Sequence, residues 1–197
     1  MPRNESSDPF AINEFREELQ LSPLVARLLV GRNYSLESAR QFLSARLTDL
    51  PDPFLLPDME IAVDRLHSAL EKGEKIAVHG DYDVDGITGT ALLFAVLREL
   101  GGVEVAYHIP LRLRDGYGLS AEALKETSEQ GTKVIVSVDC GVSAHTEAVL
   151  ARELGLDLIM TDHHQPPSAL PDAFAVINPQ RQDSSFPFQN LAGVGVA

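Results

Sequence analysis

Residues 75–86 read KIAVHGDYDVDG, a short β-branched run that leads into one histidine, three aspartates and two glycines. The apolar part, Lys75–Val78, predicts a buried strand, and helical periodicity over Thr88–Glu99 predicts a helix soon after the loop. A strand, a short loop and a helix are the beginning of a βαβ unit, from which parallel sheets are built. The stretch therefore favours an α/β fold.

The same alternation of strands and helices continues towards the C-terminus. Further strands are predicted at Val103–Ile109, Lys133–Val138, Leu156–Met160 and Ala173–Ile177, with helices at Ser120–Glu129 and Ala144–Leu154. This order gives a parallel sheet with helices on both faces, in which ligands bind beyond the carboxyl ends of the strands. We therefore expect the functional residues to follow directly after strands.

The first 57 residues have a different pattern. Apolar residues at three- and four-residue spacing predict short helices, with starts at Ser22 and Ser35. A proline-rich connector follows, and Met59–Glu71 then predicts another helix. We divide the chain into a helical N-terminal segment with its linker, 1–57, and an α/β domain, 58–197.

The composition fits a soluble globular protein, since 44% of the residues are hydrophobic. No apolar run is long enough to cross a bilayer, and the N-terminus lacks the apolar core of a signal peptide. We therefore expect a cytoplasmic protein that does not contact membranes. The single cysteine, Cys140, is interpreted as a small buried residue rather than a nucleophile.

The formal net charge of −13 argues against a nucleic-acid surface, because lysine and arginine normally drive binding to phosphates. Carboxylates that hold divalent cations would offset part of this charge. Composition therefore leaves both a nucleic-acid polymer and a small phosphate compound open as substrates.

One imidazole and three carboxylates, from His79, Asp81, Asp83 and Asp85, lie in the loop after the first strand. Carboxylates this close repel one another, so a divalent cation is the natural reason to bring them together. An exposed turn that caps the next helix is one alternative. A calcium loop is another, but Leu92 occupies the twelfth position, where such a loop needs a bidentate glutamate.

Two more strands end in residues that can bind metals: Asp139 follows the third predicted strand, and Asp162, His163 and His164 follow the fourth. A lone Asp there is often a helix cap, but their shared position at one sheet edge favours ligands. Oxygen and nitrogen ligands without thiolate favour Mn²⁺ over structural zinc. Their number suggests two ions, an arrangement that hydrolyses phosphate esters.

These motifs, in their order and spacing, resemble the DHH phosphoesterases, and within them the bacterial exonucleases that degrade single-stranded DNA. The resemblance rests on HGDYDVDGIT at 79–88, Ile109-Pro110-x-Arg112, Gly116–Leu119, Ile177–Pro179 and LAGVGVA at 191–197. A superficial likeness of Gly193-x-Gly195-x-Ala197 to a dinucleotide-binding motif is rejected, because no predicted strand directly precedes it.

The resemblance implies a role for each candidate residue. Metal ligands would be Asp83, Asp85, Asp139 and His163, with Asp81 and His79 in or just behind the ligand set. His164 would face the scissile phosphate as an electrophile or acid, and Asp162 would orient the histidines. Arg112 would bind near the 5′ end of the substrate, and Tyr117 would stack on a base. A surface ion pair for Arg112 and a core position for Tyr117 are the alternatives.

The resemblance also implies an activity: Mn²⁺-dependent hydrolysis of single-stranded DNA from the 5′ end, which releases 5′-mononucleotides in DNA repair and recombination. Mg²⁺ is an alternative ion. A monomer that works with single-strand-binding protein and a helicase is expected. Action on short oligonucleotides or cyclic dinucleotides, and an inactive binding scaffold, are the alternatives. Family members have a further Asp ligand and substrate-binding domains, so domain 58–197 is expected to be incomplete at its C-terminus and inactive alone.

Overall fold

The computed structural model describes residues 8–111, 116 and 118–197, with the side chain of Leu47 left out. It divides into two compact units, with the boundary between Leu50 and Pro51. None of the helices in these described ranges is both long enough and apolar enough to span a bilayer.

The first unit contains three short helices, α1 (Pro9–Leu19), α2 (Pro23–Val30) and α3 (Leu36–Leu43), followed by a 3₁₀ turn at Leu47–Asp49. The predicted starts at Ser22 and Ser35 are confirmed. Each serine hydroxyl accepts a hydrogen bond from a backbone N–H in the first helical turn, which satisfies a donor that has no partner inside the helix. A small core formed by Phe15, Ala26, Leu29 and Ala39 holds the three helices together.

The second unit is an α/β domain, as predicted. A 3₁₀ turn at Pro53–Leu55 is followed by α4 (Met59–Lys72), β1 (Lys75–Gly80), α5 (Val84–Leu100), β2 (Val105–His108), α6 (Ala121–Glu129), β3 (Thr132–Val138), α7 (His145–Glu153), β4 (Asp157–Thr161), β5 (Ala175–Ile177) and α8 (Gly193–Val196). The five strands form one sheet in the order β2-β1-β3-β4-β5, and every pairing is parallel.

Two apolar layers cover the sheet, because successive residues of a strand point to opposite faces. Ile76 and Val78 of β1 belong to a core shared with α4, α5 and α8. Ala77, between them, belongs to a second core shared with α6 and α7. The helices therefore lie on both faces of the sheet, and its strand ends remain available at the edge.

Helix α5 begins at Val84, four residues before the predicted Thr88. The cause is Asp83, whose Oδ1 accepts hydrogen bonds from the backbone N–H groups of Asp85 and Gly86 at 2.9 and 3.1 Å. A carboxylate at this position stabilises a helix N-terminus. Asp83 thus caps the helix, which was one alternative for this loop, and its carboxylate also faces the sheet edge described next.

Candidate metal centre

Parallel pairing places the ends of β1, β3 and β4 side by side, with Gly80 opposite Val138 and Val138 opposite Thr161. The residue after each strand continues the ladder: Asp81 N–H donates to the Val138 carbonyl, and Asp139 N–H donates to the Thr161 carbonyl. The three strand ends are therefore tied together by backbone hydrogen bonds, and their acidic residues converge as predicted.

Two groups of potential ligand atoms lie at this edge, each with its atoms within 4.8 Å of one another: Asp81, Asp83 and Asp139 in one, and Asp139, His163 and His164 in the other. Asp139 belongs to both groups, so its carboxylate lies where two neighbouring cations could share it. Separate carboxylates brought this close are held together most readily by divalent cations.

Asp139 occupies an unusual backbone conformation, with φ at 62° in the left-handed region. Among residues with a side chain, Asp and Asn enter this region most readily. Its side chain is only 2% exposed. Burial, and the negative charges of Asp85 and Asp83, raise the pKa of the Asp139 carboxyl to about 6. A cation beside it would offset the neighbouring negative charges and favour the ionised carboxylate.

His163 provides the clearest sign that a cation fits here. Its Nδ1 lies 2.8 Å from the Leu191 carbonyl oxygen, which can only accept, so Nδ1 carries the proton and Nε2 of the neutral ring is left with a lone pair. Nε2 lies 3.0 Å from Oδ1 of Asp139. That oxygen is buried and has no hydrogen-bond partner among the described residues. Two acceptors facing each other at this distance suit a metal ion between them.

Asp85 lies beside this pair and is held by the backbone. Its Oδ2 accepts from Gly193 N–H at 2.6 Å and its Oδ1 accepts from Val194 N–H at 2.7 Å. Oδ2 lies 3.8 Å from Nε2 of His163. Each carboxylate oxygen keeps a second lone pair that could face a cation.

Asp162 orients one of the two histidines. Its Oδ1 accepts from Nδ1 of His164 at 2.7 Å and from the backbone N–H of both histidines, and its Oδ2 accepts from Val142 N–H. Burial disfavours the charged form of His164, but the hydrogen bond to Asp162 and the charges of Asp162, Asp139 and Asp81 outweigh burial and raise its pKa. His163 is oriented by Leu191 instead.

Among the predicted site residues that the structure describes, His79, Asp85 and Asp162 belong to neither group, and His79 also lies away from both. The ring of His79 is 3% exposed, with Nε2 3.0 Å from Oγ1 of Thr127, and it packs against His108. Burial, and secondarily the charge of His108, lower the pKa of His79 to about 3. Arg112 and Tyr117 lie outside the residues that the structure describes.

A cleft of about 530 Å³ opens beside the two groups of candidate ligands. Its lining includes four candidate site residues, Asp81, Asp139, Asp162 and His164, together with Gly118, Leu119, Cys140–Ala144 and Glu147. Cys140 is buried and its thiol pKa is raised by that burial, so the thiolate is not available as a nucleophile. The cleft has room for a phosphate ester next to His164.

The contacts made by Leu191, Gly193 and Val194 were not predicted. They involve backbone atoms, which are common to all residue types, so the sequence does not indicate them. The one available signal was Gly193 itself: a Cβ there would lie 2.5 Å from Oδ1 of Asp139, so only glycine allows this approach.

The sequence profile described as DHH family, N-terminal domain, matches residues 75–197. The chain is 43% identical over 191 residues to the single-stranded-DNA-specific exonuclease RecJ of Bacillus subtilis strain 168, covering 96% of this chain and 24% of that protein. It is 43% identical over 178 residues to RecJ of Escherichia coli K12, covering 90% and 30%. The chain thus spans less than a third of the length of these relatives.

Solved structures of RecJ exonucleases are also similar to this chain. A crystal structure of exonuclease RecJ bound to manganese matches 72% of this chain and 35% of its own, with TM-score 0.65 and 38% identity. RecJ from Thermus thermophilus in complex with Mn²⁺ matches 95% of this chain and 26% of its own, with TM-score 0.66 and 31% identity. Since the profile match spans the whole sheet and the candidate metal-binding edge, the chain belongs to the DHH family.

Proposed function

We propose that the chain carries the two-ion centre of a Mn²⁺-dependent exonuclease that degrades single-stranded DNA from the 5′ end and releases 5′-mononucleotides in DNA repair and recombination. The observation that carries the proposal is the pair of facing acceptors, Nε2 of His163 and Oδ1 of Asp139, 3.0 Å apart. The similarity to RecJ, whose structures contain Mn²⁺, supports the choice of ion and substrate.

The ligand atoms divide into two sets that share Asp139. Asp139 and His163, with Asp85 beside them, would hold one ion, and Asp81, Asp83 and Asp139 would hold the other. Bound Mn²⁺ ions would supply a hydroxide from water and neutralise charge on the phosphoryl oxygens. Mg²⁺ is the alternative occupant. The remaining steps belong to side chains of the protein.

His164 is placed to act on the substrate. Its Nδ1 donates to Asp162, and its side chain is 59% exposed beside the cleft. The raised pKa favours the imidazolium. In that form Nε2–H donates to a phosphoryl oxygen and stabilises the charge that develops there in the transition state. Asp162, fully engaged by four hydrogen bonds, keeps the ring in place.

The substrate and partner assignments rest on family resemblance. Arg112 would bind near the 5′ end of the strand and Tyr117 would stack on a base. The protein would act as a cytoplasmic monomer with single-strand-binding protein and a helicase. The net charge of −13 favours a second candidate, a phosphodiesterase for short oligonucleotides or cyclic dinucleotides, because a small substrate needs no extended basic surface.

Metal binding is tested first, by following the electron paramagnetic resonance signal of free Mn²⁺ during titration with the chain. We expect binding by the wild type and a loss of affinity of about tenfold or more in Asp83→Ala and Asp139→Ala. Asp172→Ala, which removes an exposed carboxylate paired with Arg152, is the matched control. Equal Mn²⁺ binding by all four proteins would refute the metal centre.

Substrate choice is tested in a chimaera in which this chain replaces the aligned segment of B. subtilis RecJ. The chimaera should degrade 5′-phosphorylated single-stranded DNA faster than dinucleotides, and His164→Asn should abolish hydrolysis while the exposed His145→Asn should not. Faster cleavage of dinucleotides or cyclic dinucleotides would select the second candidate. Hydrolysis that survives His164→Asn would remove the role of that residue.

A further inference from the structure

We infer that residues 191–194 form a positioning segment that holds three of the candidate metal-binding side chains, those of His163, Asp85 and Asp139, in one arrangement. The inference rests on the proposed metal centre. It assigns a function to a part of the chain that supplies no ligand: its contribution is one carbonyl oxygen, two N–H groups and one Cα without a side chain.

The first contact fixes the ring of His163. Nδ1–H donates a hydrogen bond to the Leu191 carbonyl oxygen at 2.8 Å, which selects the tautomer with its lone pair on Nε2. A ligating imidazole whose other nitrogen donates to a carbonyl is held in orientation and made more basic. Without this carbonyl, the ring could donate Nε2–H to Asp139 and occupy the position of a cation.

The second contact fixes the carboxylate of Asp85. Gly193 N–H and Val194 N–H each donate to one of its oxygens, at 2.6 and 2.7 Å. Two parallel hydrogen bonds set both the position and the plane of a carboxylate. Asp85 stands at the start of α5, 108 residues before Gly193 in the chain, so these bonds tie two distant parts of the fold at the site.

The third contact is steric. A Cβ added at Gly193 would lie 2.5 Å from Oδ1 of Asp139 and 2.7 Å from its Cβ and Cγ. No real side chain tolerates such distances, and Asp139 cannot move freely because it is buried and held by the backbone bond to Thr161. Glycine is required here by the space available. The absent side chain lets the segment close over Asp139.

These three contacts act together. Asp85, Asp139 and His163 stand after three different strands, and the 191–194 segment contacts all of them. Helix α8 in turn packs on α5, where a Cβ at Gly89 would lie 3.2 Å from Cα of Val194. The distance between Nε2 of His163 and Oδ1 of Asp139 is thereby fixed before any ion binds, which is the preorganisation that a metal site needs.

The substitution that tests the inference is Gly193→Ala, with Gly195→Ala as its matched control. Both add one methyl group to the same short helix, but a Cβ at Gly195 would meet only the side chain of Leu191, at 3.3 Å or more. We expect Gly193→Ala to weaken Mn²⁺ binding by about tenfold or more and Gly195→Ala to stay within about twofold of the wild type.

A second measurement needs no metal. Nitrogen-15 spectra of the imidazoles at about pH 8, where a histidine is neutral, report which nitrogen carries the proton. We expect the proton of His163 on Nδ1 in the wild type and in Gly195→Ala, and a shift towards Nε2 in Gly193→Ala. Far-ultraviolet circular dichroism checks that each variant is folded.

The outcomes separate the inference from the proposed function. A wild type that binds no Mn²⁺ would defeat the proposed function, while the tautomer of His163 in the metal-free chain would still decide the positioning role. A proton on Nε2 in the wild type would overturn the inference. So would a folded Gly193→Ala variant that matches the wild type in Mn²⁺ affinity and in tautomer.

Discussion

Asp139 is a residue that the metal-free fold accommodates at a cost. Its backbone is left-handed, its carboxyl is buried, and its Oδ1 has no hydrogen-bond partner among the described residues. The left-handed backbone costs conformational energy, and burial without a hydrogen-bond partner disfavours the charged carboxylate. Their combination at one position is typical of a site whose geometry is set for a ligand rather than for stability.

Replacing this residue should therefore stabilise the metal-free protein. We predict that Asp139→Asn, which tolerates the same left-handed backbone, raises the free energy of unfolding at about pH 7.5 by roughly 2–3 kcal/mol. Urea denaturation measures this. Added Mn²⁺ should stabilise the wild type and not the variant, because only the wild type keeps the shared carboxylate.

The pH dependence has a definite sign. The Asp139 carboxyl has a pKa of about 6 in the folded chain against an ordinary value of 3.8, so the folded state holds the proton more tightly. Its contribution to stability is greatest at low pH and is lost as the pH rises through 6. The advantage of Asp139→Asn should shrink below pH 6 and vanish near 3.8. An advantage that grows towards acid pH would contradict the assignment.

His79 is expected to act in folding rather than in metal binding. Because its pKa falls from 6.5 to about 3 in the folded chain, the neutral form is favoured there, and the stability it contributes is present above pH 6.5 and lost as the pH falls towards 3. We predict that His79→Gln changes Mn²⁺ affinity by less than about twofold. Its free energy of unfolding should approach that of the wild type as the pH is lowered.

Thr127→Val is the control for this prediction, because it removes the hydroxyl beside Nε2 of His79 without changing any ligand candidate. It should also leave Mn²⁺ affinity unchanged. A loss of affinity of about tenfold in His79→Gln alone would return His79 to the ligand set.

At the scale of elements, α5 packs closely against β3 and α8 at Gly89. A Cβ at Gly89 would lie 2.6 Å from Cγ1 of Val138 and 3.2 Å from Cα of Val194. We predict that Gly89→Ala lowers the free energy of unfolding by about 1–3 kcal/mol, although alanine is the better helix former. Thr88→Ala, at an exposed position of the same helix, should change it by less than about 0.5 kcal/mol. A Gly89→Ala variant that is more stable than the wild type would show that the space between Gly89, Val138 and Val194 can accommodate a methyl group.

Elements were predicted well where the local pattern determines them. The five strands and the helices that separate them are present, since β-branched runs and helical periodicity reflect burial on the sheet and on helix faces. Among the boundaries that moved, two bear on the candidate site. Asp83 starts α5 early as its cap, and β1 continues to Gly80. This extension places His79 on the face of Ala77, towards α6, whereas the predicted strand end at Val78 had left it in the loop.

The convergence of Asp83, Asp85, Asp139 and His163 was predictable because parallel strands end at a common edge. The orientation of His163 was not, because it depends on a backbone carbonyl 28 residues away in the chain. Nor could the sequence show that both oxygens of Asp85 meet backbone N–H groups. Such contacts exist only once the whole domain has assembled.

For the molecule as a whole, we predict that residues 51–197 fold without the first unit and bind Mn²⁺ with unchanged affinity, since all described ligand candidates lie there. A start at residue 58, the boundary predicted from the sequence, should be less stable by at least about 2 kcal/mol, because it removes Leu56 from the main core. Urea denaturation of both chains compares them. Equal stability would place the linker outside the domain.

The order of the strands also has a consequence for the kinetics of folding. The candidate metal-binding edge is built from loops after β1, β3 and β4 together with the 191–194 segment, so it is complete only after the parallel sheet has formed and α8 has docked. Non-local pairing of this kind is slow, and contacts made last are absent from the folding transition state. Bound ions should therefore leave the rate of folding unchanged and slow unfolding. The metal centre would then stabilise the folded domain without guiding its formation.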